Sequence, residues 1–195
     1  PEGVLVALVV ALEVPALLLG LAIGSRGTTT PDGGHHHTLR EVFTGKTCLL
    51  LLGGMAIGFI SGPGGIKAVD QMYFALFQGV LMLFMIDMGI LAADRLSALR
   101  RGWLRLALYA TALPLAHGAL GVFIGLACGL SVGGATVFAA MLSSASYIAA
   151  PAAVRSGLPD ADAGRCITAA LGLTFPFNLA VGIPLYAWLA TLMSQ

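Results

Sequence analysis

At 195 residues, 58% of them hydrophobic and only 10% charged, the chain lies far from the composition of soluble domains, which are about a quarter charged. A net charge of +1 offers no basic face for nucleic acid. Three cysteines, Cys48, Cys128 and Cys166, have neither CxxC spacing nor an even count, so packing is favoured over disulfides or thiolate metal sites.

What remains is an all-α polytopic transmembrane protein whose organisation is read from spans of about 20 apolar residues. The opening "PEGVLVALVV" has no initiator methionine, charged n-region or cleavage site, and reads as the start of a span in a piece of a longer protein. Six apolar segments follow in chain order: 3–24, 47–61, 69–93, 103–130, 133–154 and 166–192. The second is short and suits a thinned region or an earlier start near Val42.

Charge sorts the connections. The first, third and fifth, with their flanks, carry Arg26, Arg40, Lys46, Arg95, Arg100, Arg101, Arg105, Arg155 and Arg165, nine of the ten basic residues; only Lys67 lies in the second. The positive-inside rule therefore makes loops 25–46, 94–102 and 155–165 cytoplasmic and turns both chain ends outward. Loop 25–46 is rich in Gly, Thr and Pro and reads as flexible; its His35–His37 run lacks a partner spaced to complete a metal site. Glycines recur every four residues at Gly54, Gly58 and Gly62 and at Gly121, Gly125 and Gly129, a spacing that predicts close helix packing.

Polar groups at membrane depth are costly and point to function. Glu13 lies mid-span before Pro15, Asp87 sits in "LFMIDMG", His117 follows Pro114, and Thr174 and Asn178 flank Pro176. Each predicts either an interhelical hydrogen bond or a place in a polar interior. The fifth segment holds "MLSSASYIAAPAAVR", with Ser143, Ser144 and Ser146 ahead of Pro151. Pro151 lacks a backbone N–H and disfavours helix at Ala150, so a helix arriving from Gly133 should end near Ser146 or Tyr147 and a new one begin at the proline. The amides of Ile148, Ala149 and Ala150 would then face a break that attracts anions, beside serine hydroxyls and small alanines. A Pro-kinked helix with serines bonded back to its own carbonyls is the competing reading.

The stretches "ALFQGVLMLFMIDMGILAADRL", "SSASYIAAPAAVRSGLPDADA" and "LTFPFNLAVGIPLYAWLA" together resemble the SbtA-like sodium-dependent bicarbonate transporter (permease) family, over nearly the whole chain from Glu13 onward. The resemblance implies two five-helix repeats of opposite orientation, each with one broken helix. Residues 1–24 would be the last span of the first repeat, 25–46 a cytoplasmic loop and 47–195 the second repeat, the remainder of the first belonging to the same protein. Glu13-Val14-Pro15 and Thr174-Phe175-Pro176 echo each other at corresponding positions.

The activity so implied is symport of bicarbonate, or another small anion, with sodium across the bacterial inner membrane. The anion would sit among Ser143, Ser144, Ser146, Tyr147, Ile148, Ala149 and Ala150, with sodium on oxygens at Ser144 and Ser146 and with Glu13, Asp87, Thr174 and Asn178 as ion-binding or polar-interior groups. Beyond that co-transported ion no cofactor is implied. The family pattern is departed from at Tyr147, where cyanobacterial members carry aspartate, and at Ala149 and Ala150, where they carry serine and glycine. A homotrimer and a PII-like regulator come with the resemblance alone. Two other classes compete with this one: an intramembrane serine enzyme with Ser144 or Ser146 as nucleophile and His117 as base, for which the sequence has no GxSxG elbow, and a channel, for which it has no filter-like sequence.

Overall fold

Helix is the element that a chain with this much apolar sequence and no surrounding water must adopt, because each backbone N–H and C=O finds its partner within the segment. A computed structural model describes residues 4–24, 46–97, 103–147, 150–151, 154–155, 158 and 161–194. Among these residues the chain is all-helical, with α1 (Val4–Gly24), α2 (Lys46–Asp70), α3 (Leu76–Ser97), α4 (Trp103–Ala127), α5 (Val132–Leu142) and α6 (Ala163–Met193). The His35–His37 run, Ile148 and Ala149 lie outside the described residues.

Four stretches are long and apolar enough to cross a membrane: Ala7–Gly24, Leu76–Asp94, Trp103–Ala127 and Ala163–Met193. The other two expected spans correspond to shorter apolar helices, Gly53–Gly62 and Val132–Leu142. The first of these stops at Gly62, whose φ of 57° kinks α2 just ahead of Pro63. Glycine adopts that φ without a Cβ penalty, and the residue before a proline is driven out of the helical region.

The core sits where α4 and α5 form a hairpin and α6 packs across it. The C-terminus of α4 closes with Gly129 at φ 78°, Leu130 N bonded to Gly125 O and Gly129 N bonded to Leu126 O, each at 3.0 Å. That paired arrangement satisfies two carbonyls that a helix end leaves open. Ser131 then opens α5, its hydroxyl oxygen accepting from Gly134 N at 3.0 Å. So tight a turn brings the two helices close together: a Cβ on Gly121 would lie 2.7 Å from Ala139 Cα, and one on Gly125 3.0 Å from Ala135 Cα. Val122, Ala135, Ala139, Tyr186 and Ala190 are the buried centre.

Two stretches of α6, Thr168–Thr174 and Asn178–Gly182, are wound as π-helix, with Phe175 N bonded to Ala170 O and Ile183 N to Asn178 O. Each ends two residues before a proline, Pro176 or Pro184. A proline ring pushes on the carbonyl four residues back, and a wider turn accommodates it.

α1 runs beside α5 in the same direction. Its start, Val4 and Leu8, shares an apolar cleft with Leu130 and Phe138; its middle, Glu13, meets Ser146; its end, Gly24, abuts Leu158. This common direction is the one the loop charges assign to both spans.

Candidate functional site

α5 ends at Leu142, earlier than the Ser146 or Tyr147 expected from Pro151 alone. The serines account for the difference. Ser143 Oγ and Ser144 Oγ both donate to Ala140 O, at 3.1 and 2.7 Å, and so occupy the carbonyl to which Ser144 N would bond in a continuing helix. Ser144 N turns to Met141 O instead, at 3.2 Å. Side-chain competition of this kind loosens a helix from within. Residues 144–147 are non-helical, and helical backbone is found again at Ala150 and the fully buried Pro151. Ser143 and Ser144 thus bond back to a carbonyl of their own helix, as the competing reading of this segment expects.

Behind the segment lies a buried polar network. Ser143 is 1% exposed, and its carbonyl accepts from Asn178 Nδ2 at 2.8 Å. The Tyr186 hydroxyl, with a single proton to give, lies 3.0 Å from Pro114 O and 3.3 Å from Asn178 Oδ1. Thr174 Oγ1 donates to Ala110 O at 2.8 Å. Ala110 is four residues before Pro114, which has no N–H to offer it. Thr174 thus supplies from α6 the donor that α4 lacks, as a buried carbonyl requires. Thr174 and Asn178 accordingly face protein, as expected of a polar interior.

In front of the segment stands α1. Ser146 Oγ donates to Glu13 Oε1 at 3.4 Å and accepts from Ala150 N at 3.4 Å, so one hydroxyl joins a carboxylate to the resumption of helix after the gap. The Ala150 amide is held by this side chain rather than left open, which differs from the expectation of three unengaged amides. Glu13, Ser146, Tyr147 and Ala150 are all half-buried.

Not every expected group converges here. Ser144 is exposed and its hydroxyl points back to Ala140 O. Asp87 is exposed on α3, a helix buried mainly at Met88 and Ala92, so it does not join the polar interior formed by the described residues. His117 is likewise exposed on α4. Sequence reasoning missed Tyr186, the most enclosed side chain of the network. Its signal was available: a tyrosine in an apolar span, two helical turns after a buried asparagine.

One family model, described as the Na+-dependent bicarbonate transporter superfamily, matches residues 1–191. No individually curated protein matches the chain.

Proposed function

We propose sodium-coupled uptake of bicarbonate for this chain, which belongs to the Na+-dependent bicarbonate transporter superfamily. Membership, together with four helices of spanning length, makes it a multi-pass membrane protein whose substrate is a small anion. The finer reading is that α5 and the helical backbone resuming at Ala150 are two halves of a broken helix, and that the gap between them is the substrate site. The observation that carries it is the non-helical backbone at 144–147, facing a mid-span carboxylate from α1.

Unwound backbone at membrane depth is tolerated only where it lines a protein-enclosed or wet cavity. Bicarbonate brings three oxygens and one negative charge. The N-terminus of the helix resuming at Ala150 favours such a charge, and Ser146 and Ser144 supply hydroxyls, the latter after rotating away from Ala140 O. Sodium, a hard cation, takes hydroxyl, carbonyl and carboxylate oxygens. Residues 47–195 form the second of two inverted repeats and 1–24 close the first, with loops 25–46, 94–102 and 155–165 cytoplasmic in a bacterial inner membrane. A homotrimer and a PII-like regulator rest on the family resemblance alone. Family membership favours transport over the enzyme and channel alternatives.

Labelled bicarbonate uptake into proteoliposomes of the full-length protein tests this. An inward sodium gradient should drive accumulation that an equal potassium gradient does not. Equal uptake with either ion, or none, would sink the reading.

A further inference from the structure

α5 arrives at the gap with its negative end forward. A helix leaves its last carbonyls without partners of its own, and together they carry about half an elementary charge of negative sign. An anion seated in the gap would meet that charge at close range. The end of α5, however, is supplied with donors. Ala139 O accepts from Ser143 N at 3.0 Å and Met141 O from Ser144 N at 3.2 Å. Ala140 O accepts from both serine hydroxyls, so it keeps one donor even when Ser144 turns toward a substrate.

The last carbonyl before the gap, that of Ser143, is served by another helix. Asn178 Nδ2 of α6 donates to it at 2.8 Å. A carboxamide donates with one end and accepts with the other. Ser143 O can only accept, so the amide nitrogen must face it, and Oδ1 is left beside the Tyr186 hydroxyl at 3.3 Å. Gly182, four residues from each of them, makes the room. A Cβ there would come within 2.5 Å of Asn178 Oδ1 and 3.2 Å of the Tyr186 ring.

We propose that Asn178 is a specificity-determining residue that acts through Ser143: it commits the last carbonyl of α5 to the protein core, so that the gap takes an anion. The assignment rests on the transport reading above. Asn178 is a positioning residue and touches neither solute. A buried carbonyl deprived of its donor turns toward whatever donor or water is at hand, and the gap is the wet side. Turned that way, its oxygen opposes bicarbonate but suits sodium, a hard cation. The two solutes therefore respond differently to the loss of Asn178. General loosening of the helices would weaken both.

The test is labelled bicarbonate uptake by the full-length protein in proteoliposomes. Bicarbonate and sodium are varied in turn, the other being saturating, in wild type, Asn178→Ala, Asn178→Leu and Gly182→Ala. Asn178→Ala should raise the KM for bicarbonate about three- to tenfold, the size of a helix-end charge acting at a partly buried site. Maximal rate and sodium half-saturation should stay within about twofold of wild type, the pattern of lost binding without lost turnover.

Asn178→Leu keeps the branched shape without the donor and should behave alike, which covers failure of the alanine variant to insert. Gly182→Ala displaces the amide without removing a polar group and should move the KM in the same direction. In variants that insert, a bicarbonate KM equal to wild type overturns the assignment while leaving sodium-coupled uptake standing. So does a KM that rises in step with the sodium half-saturation, or uptake lost altogether. Wild-type uptake that ignores sodium overturns both.

Discussion

Two glycine series with the same four-residue spacing behave differently in this molecule. Gly121 and Gly125 lie against Ala139 and Ala135, and a methyl on either would press on backbone within 3.0 Å. Gly54 and Gly58 face nothing within 4 Å, on a helix whose Phe59 is 91% exposed. The third member differs in both: Gly129 and Gly62 each adopt a positive φ, the first just past the end of α4 and the second at the kink inside α2. Spacing therefore identifies a smooth helix face, but only the partner determines whether that face is used. The α4 series has its partner in α5, reached through the four-residue connection Cys128–Ser131; the α2 series has none among the described residues.

Substitutions sharpen the contrast, the largest at Gly118. A methyl there would overlap the Tyr186 ring, which is fully buried and cannot withdraw. Gly118→Ala should cost about 3 kcal/mol or more, seen as loss of monodisperse protein in detergent or a collapse of the unfolding temperature. Gly121→Ala should cost about 1–3 kcal/mol by pushing α4 from α5, because the obstacle is backbone.

Thr174→Val is close in shape but leaves Ala110 O without a donor, and Tyr186→Phe removes the proton shared by Pro114 O and Asn178 Oδ1. Each should destabilise by about 1–3 kcal/mol in chemical unfolding. Gly58→Ala should be neutral or stabilising, by up to about 1 kcal/mol, since a helical glycine on an open face costs entropy and packs nothing. If Gly58→Ala instead destabilises as much as Gly121→Ala, a partner covers that face and the comparison above breaks down.

Much of this was legible in the sequence, for identifiable reasons. Hydropathy located the apolar helices, four of them long enough to cross a membrane, because the demand that the backbone be satisfied in hydrocarbon admits few alternatives. Pro151 and three serines suggested that the helix of the fifth segment ends near Ser146 or Tyr147. Its stopping point at Leu142 was not legible, since it depends on Ser143 and Ser144 winning a carbonyl from the backbone, a competition that composition does not decide. Asp87 looked like an interior group and lies on an exposed face of α3, because depth along a span says nothing about which way a residue points. The pairings that span 35 to 133 residues, Asn178 with Ser143 and Glu13 with Ser146, are properties of packing and carry no local signature.

The proline in α4 has one more consequence. In an isolated helix Pro114 would act as a hinge, since it deletes a rung of the backbone ladder and frees a carbonyl. Here Thr174 reaches across to Ala110 O, and Tyr186 rests against Pro114 O. Two fasteners from one neighbouring helix, twelve residues apart, convert the hinge into a locked joint. α4 and α6 are therefore tied to each other on both sides of that proline, which opposes independent movement of the two helices there.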